Sequence, residues 1–157
     1  MFKFQLKKFF KAPYDLMLVF LQFFIISLHF FQWEFLSQKQ IIQASLFSYF
    51  LGILIIIMAF IIMLVSIKDL GRNLSPFPRP ITDSNLVTSG IYRSMRHPMY
   101  YSLIFISIGV SIIKLSIYYL FLTISLALII KFKIALEEKY LMNKFKNYTL
   151  YKNEVKV

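Results

Sequence analysis

From residue 40 to residue 67 the chain runs for 28 residues without a formal charge, and a second uncharged run of 18 covers residues 16–33. A helix of about 20 apolar residues crosses a hydrocarbon core of about 30 Å, so each run is long enough to span a membrane. A soluble chain of 157 residues has too much surface to hide both of them. The composition agrees: AVILMFWYC residues make up 59% and charged residues 16%, where an average soluble domain carries about 25% charge. So apolar a chain also has no tendency to intrinsic disorder. With no cysteine and only His29 and His97 as histidines, disulfide frameworks, thiolate chemistry and multi-histidine metal cages are excluded, and no metal site is expected.

Two further uncharged runs, residues 99–113 and 115–130, are separated only by Lys114. Together they are too long for one span, at about 48 Å for 32 residues. They read as a helical hairpin with Lys114 snorkelling at its tip. The basic residues orient the whole. Four lysines precede the first run, five lysines and arginines lie between residues 68 and 98, and seven follow from Lys131, against Lys39 and Lys114 in the opposite loops. A split of 16 to 2 places both termini and the long loop in the cytoplasm. The expected architecture is therefore an all-α integral membrane protein with about four membrane helices. Two spanning helices precede the hairpin, and a cytoplasmic loop and a C-terminal amphipathic helix complete the chain. Residues 1–67 form the amino-terminal part and residues 68–157 the chemical core. The basic start and apolar run share the outline of a signal peptide, but the run is long and lacks a small-residue cleavage site.

The net charge of +11 is accounted for by these membrane-flanking lysines and arginines, so nucleic acid is not an expected partner. Lys3, Lys7, Lys8 and Lys11 alternate with Phe2, Phe4, Phe9 and Phe10, as in an arm lying on anionic lipid. His29, Gln32 and Glu34 cluster near the outer end of the first run and read as boundary residues.

Chemistry concentrates in two places. The loop of residues 68–98 carries four of the five prolines, Pro76, Pro78, Pro80 and Pro98. Proline at alternate positions makes residues 75–80 stiff and non-helical, and long ordered loops are commonly functional. Further on, Tyr92, Arg93, Arg96, His97, Met99 and Tyr100 crowd the start of a membrane helix, with Pro98 in its first turn. A basic juxtamembrane loop would have much the same composition. The second concentration is Glu137 and Glu138, two of only seven acidic residues, beyond the last apolar run. Leu136, Tyr140, Leu141 and Phe145 recur at helical spacing, so the last membrane helix is expected to continue into the cytoplasm. Neighbours on a helix point about 100° apart, so the two glutamates are expected to split, one inward and one solvated. Lys133 stands four residues before Glu137, the spacing of an ordinary surface ion pair.

These residues resemble a family of integral membrane methyltransferases, the isoprenylcysteine carboxyl methyltransferases, and the related phospholipid methyltransferases. The resemblance is carried by Leu86, Val87, Thr88, Ser89, Gly90, Ile91 and Tyr92, by Arg96, His97, Pro98, Met99 and Tyr100, and by Glu137 and Glu138 followed by Leu141, Phe145, Tyr148 and Tyr151. It covers about half the chain, from residue 68 onward. It implies S-adenosyl-L-methionine bound on the cytoplasmic side beneath a tunnel for a lipid-like acceptor. Cofactor contacts would come from Asn85, Leu86, Val87, Tyr92, His97, Pro98, Met99, Tyr100 and the pair Glu137 and Glu138. Lys133 falls where eukaryotic members place an arginine that orients the acceptor carboxylate; an amine acceptor would need a base, for which His97 or Glu138 is the candidate. Asn85 replaces a frequent histidine, Ser102 a common glycine, and the interval from Phe145 to Tyr148 is one residue shorter than usual. A lysine at 133 also lacks arginine's planar fork.

The resemblance thus implies methyl transfer to a small hydrophobic, isoprenoid or lipid-like acceptor, carboxylates included, with membrane lipids as surroundings. The alternative class is a small non-enzymatic membrane subunit that holds anionic lipid or a protein partner on its basic faces. A transporter is disfavoured, because the spans lack paired intramembrane charges.

Overall fold

The computed structural model describes residues 13–31 and 45–155. The lysine- and phenylalanine-rich arm, Gln32, Glu34, Lys39 and the ends of the first two uncharged runs lie outside the described residues. Among the described residues every regular element is helical. The elements are α1 (Pro13–Leu28), α2 (Leu46–Leu70), α3 (Pro98–Lys114), α4 (Ile117–Lys144) and α5 (Tyr148–Glu154), with 3₁₀ turns at Gly71–Asn73 and Gly90–Arg93. The chain is an all-α membrane protein.

The hairpin of α3 and α4 turns where the sequence places it. Lys114 is the last residue of α3, and Leu115 takes a left-handed conformation at φ 42° that stops the helix. The lengths depart from expectation. Among the described residues the helices long and apolar enough to cross a membrane are α2, counted with its following turn, and α4, whereas α1 and α3 are shorter apolar helices. At 16 and 17 residues those two are about 24 and 26 Å long. The second apolar arm is short, but the last membrane helix continues beyond it as the spacing of Leu136, Tyr140 and Leu141 leads one to expect, and α4 is the longest helix among the described residues. A lysine ends an uncharged run but not a helix: Lys131 to Lys144 is rich in good helix formers and free of glycine and proline, so α4 continues for 28 residues.

Packing follows the logic of an apolar solvent. Large side chains face outward, with Phe47 72% and Phe20 69% exposed, while the buried residues of α2 are Ser48, Gly52, Ala59 and Ser66. On α3 the small residues Ser102, Ser107 and Gly109 are buried. Lipid solvates leucine and phenylalanine as well as protein does, so helices associate through small residues that let backbones approach. Gly52 and Gly109 meet reciprocally. A Cβ on Gly52 would lie 2.7 Å from the Gly109 carbonyl oxygen, and one on Gly109 would lie 2.8 Å from that of Gly52.

Helix α4 packs on α3 and α1 around a core of Ile25, Tyr100, Tyr119, Leu122, Leu126 and Ile130. Near one end of the bundle a polar chain stitches three helices. His29 Nε2 lies 2.7 Å from Ser107 Oγ, which lies 2.7 Å from Thr123 Oγ1, which in turn lies 2.8 Å from Ser111 Oγ. His29 is thus an interhelical hydrogen-bonding residue and not simply a boundary residue. At the opposite end the starts of α1 and α3 and the carboxyl ends of α2 and α4 come together with residues 71–97 and α5.

Gly109→Ala is expected to destabilise the protein by about 1–3 kcal/mol through overpacking, read as a lower thermal midpoint in detergent. Phe121→Leu, on an exposed position, should change it by less than about 0.5 kcal/mol.

Candidate functional site

The loop between α2 and α3 is held in place by a few fixed points. The carboxylate of Asp69 accepts a hydrogen bond from the Ile91 backbone N–H at 2.8 Å. Gly90, at φ 61°, makes room for that contact, since a Cβ there would lie 2.1 Å from Asp69 Oδ2. The turn so formed buries Tyr92, whose backbone oxygen accepts from the Tyr151 hydroxyl at 2.5 Å and so ties α5 to the loop. The proline-rich stretch is fastened from the other side. Lys144 Nζ donates to the Ile81 and Thr82 carbonyls and to Ser84 Oγ. Arg79 NH2 donates to the Tyr140 hydroxyl at 3.3 Å, with its guanidinium 5.0 Å above the Tyr140 ring.

The strongest electrostatic feature is centred on Glu138. Its Oε1 accepts from Arg96 Nε at 2.9 Å and lies 3.3 Å from His97 Nε2, and its Oε2 lies 2.7 Å from Lys152 Nζ. An ionised carboxylate only accepts, so the histidine nitrogen facing it donates. Arg96 NH1 also donates to the carbonyls of Lys152 and Val155 at the end of α5. One buried carboxylate thereby joins α4, the residue preceding α3, and α5.

Glu137 points elsewhere. Its Oε2 accepts from the Tyr100 hydroxyl at 2.6 Å, and it lines a cleft between the loop and the bundle. Leu86, Val87 and Phe77 come to this cleft from the loop, His97, Met99 and Tyr100 from the start of α3, and Leu141, Phe145, Tyr148 and Tyr151 from the far end of α4 and from α5. The wall is aromatic and apolar with few polar groups, the usual make-up of a small-molecule site. Burial and the Glu137 carboxylate push the Tyr92 phenol well above its ordinary range. Burial does the same to Tyr148. Both phenols therefore stay protonated. Among the described residues the Tyr148 hydroxyl, buried, has no hydrogen-bond partner.

Of the residues singled out by sequence, Asn85, Leu86, Val87, Tyr92, His97, Met99, Tyr100 and Glu137 line this one cleft. Pro98, Glu138 and Lys133 do not. Pro98 is buried in the first turn of α3. The glutamates do split, but Glu138 is buried and not solvated, because Arg96, His97 and Lys152 converge on it. Lys133 is no surface ion-pair partner of Glu137. It is 1% exposed, donates to Gln22 Oε1 at 2.5 Å, and sits 5.0 Å from the centre of the Tyr100 ring. Asp15 and Gln22 were not foreseen, since both come from α1 and act only once α1 lies on α4. The rarity of acidic residues, which flagged Glu137 and Glu138, applies equally to Asp15 and Asp69.

Among the described residues a helical bundle carries a loop folded over an acidic, aromatic cleft with the make-up of a small-molecule site. The phospholipid methyltransferase family model matches residues 47–148, and the chain belongs to that family of methyltransferases. Comparison with individually curated proteins gave no match.

Removing one partner of a buried ion pair is worth about 3–5 kcal/mol. Glu138→Gln is therefore expected to free α5, seen as rapid cleavage beyond residue 145 in limited proteolysis. Lys152→Met removes a partner that is 38% exposed and should cost less than about 1 kcal/mol.

Proposed function

We propose that the chain is an S-adenosyl-L-methionine-dependent membrane methyltransferase acting on a hydrophobic or lipid-like acceptor. The observation that carries this is Glu137, its carboxylate held by the Tyr100 hydroxyl inside an aromatic cleft where the helices give way to the loop. The cofactor has an ammonium, a carboxylate, a sulfonium and an adenine, and the cleft offers counterparts to a cation, to the carboxylate and to the adenine. Glu137 suits a cationic group, the Asn73 and Asn85 amides and the loop backbone suit the carboxylate, and Tyr92, Phe77, Leu86 and Phe145 suit the purine. The Tyr148 hydroxyl, without a partner among the described residues, adds a buried donor. Bound there, the cofactor would supply an electrophilic methyl group.

The chain's own contribution is alignment, which dominates in-line displacement. Tyr100 holds Glu137 still, and the Glu138 cluster holds His97, which stacks on Tyr100 with ring centres 5.8 Å apart. A carboxylate acceptor arrives ionised and needs only placing, a task for Lys133 if it exchanges Gln22 for the acceptor. An amine acceptor must lose a proton, and His97 is the base nearest the cleft. In this reading the protein is multi-pass, with its loop and both termini on the cytoplasmic side.

Calorimetry of S-adenosylmethionine with purified protein in lipid nanodiscs should show saturable binding. Glu137→Gln should weaken it tenfold or more, the scale of a lost charge-assisted hydrogen bond of about 1.5–3 kcal/mol. No binding by well-folded wild type would favour the small-subunit reading. Single cysteines at Ser84 and Lys114 in this cysteine-free chain should label from opposite sides of sealed vesicles.

A further inference from the structure

The cations near the cleft differ in how fully their donors are used. Arg96 gives Nε to Glu138 and NH1 to two carbonyls. Lys144 gives Nζ to three acceptors of the loop, and Lys133, bonded to Gln22, does not line the cleft. Arg79 is different. Among the described residues its guanidinium makes one hydrogen bond, from NH2 to the Tyr140 hydroxyl. Its Nε faces Asp15 Oδ2 at 3.4 Å, shielded from solvent yet without a hydrogen bond. Asp15 is itself buried, and its other oxygen accepts from the Tyr140 hydroxyl at 3.1 Å. The pairing balances charge and leaves most of the planar donor fork unused, although that fork suits two-point contact with an oxyanion.

Position gives the unused fork a meaning. Arg79 lines the cleft, yet its partners belong to membrane helices. Asp15 is in the first turn of α1, where the apolar run begins, and Tyr140 is on α4 beyond the point where its apolar run ends. This is the level at which lipid head groups lie. Tyr140 is also one helical turn from Glu137, about 5–6 Å between Cβ atoms. An oxyanion held by Arg79 would thus leave the neighbouring atoms of the same head group close to Glu137 and Tyr100.

We propose that Arg79 anchors the oxyanion of the acceptor's head group, a phosphodiester or a carboxylate on a lipid, and that Asp15 is the internal competitor it leaves to do so. The proposal rests on the methyltransferase reading for its acceptor but is carried by the geometry at Arg79. It makes two substitutions act in opposite directions. Neutralising Arg79 removes the anchor, and neutralising Asp15 releases it.

The test is equilibrium binding to full-length protein in detergent, with dihexanoylphosphatidylethanolamine, decanoate and inorganic phosphate as probes. One of the two lipid probes should bind saturably and identify the oxyanion, with inorganic phosphate at least tenfold weaker. Arg79→Gln should weaken lipid binding tenfold or more, and Asp15→Asn should tighten it at least threefold while leaving S-adenosylmethionine affinity within twofold of wild type. Thermal midpoints of both variants show whether they are folded. Should Arg79→Gln prove unstable, the tightening by Asp15→Asn decides alone. Lipid binding indifferent to Arg79, weakened in a folded Asp15→Asn protein, or matched by inorganic phosphate would overturn the proposal. If S-adenosylmethionine fails to bind while the opposed lipid responses persist, the methyltransferase reading falls and the anchor stands.

Discussion

The architecture at the loop end of the molecule depends on a single carboxylate. Glu138 draws Arg96, His97 and Lys152 to one point, and each side chain brings a different piece of chain with it. Arg96 reaches on to the end of α5, His97 sets the start of α3, and Lys152 fastens α5 itself. An ion so buried is costly to desolvate, and only several charged hydrogen bonds offset that cost. The compensation fixes His97 and, through their stacking, Tyr100, so that Tyr100 can in turn fix Glu137. The two adjacent glutamates thus divide the work by geometry: one assembles the walls and the other faces the interior they enclose.

Within the bundle the constraints are inverted. Apolar burial gives little preference for one neighbour over lipid, so specificity comes from what lipid cannot supply. The mutual approach of Gly52 and Gly109 fixes how α2 lies on α3. The chain from His29 through Ser107 to Thr123 fixes α1 against the hairpin near one end, and the contact of Lys133 with Gln22 does so farther along. The polar groups of these contacts therefore act as registers between helices.

Much of this was legible in the sequence, for reasons that also explain what was missed. Long uncharged runs announce membrane helices, and Lys114 marked the hairpin turn because a lone charge between two apolar runs has one comfortable place. The helical spacing of Leu136, Tyr140 and Leu141 carried the last membrane helix past Lys131, since a charge stops an apolar run without stopping the backbone, and α4 runs on to Lys144. In the site, Tyr92, His97, Tyr100 and Glu137 stood out as polar or aromatic residues concentrated beside the membrane. Their partners did not. Asp15 and Gln22 gain their roles by lying across from residues more than 100 positions away, and no local pattern encodes that. The fate of Glu138 was hidden for the same reason, its three partners being scattered over two segments.

The unbroken course of α4 has a mechanical side. Thr123, in the polar chain at one end, and Glu137, in the cleft at the other, are 14 residues apart on the same helix, about 21 Å along its axis. Pivoted at Thr123, a tilt of about 5° carries Glu137 sideways by about 2 Å. Helices adjust their tilt to the thickness of the surrounding hydrocarbon. Lys144, Tyr140 and Glu138 fasten the loop and α5 to this same end of the helix, so such a tilt would carry the cleft walls together with Glu137, with α4 as the lever arm of the whole loop end.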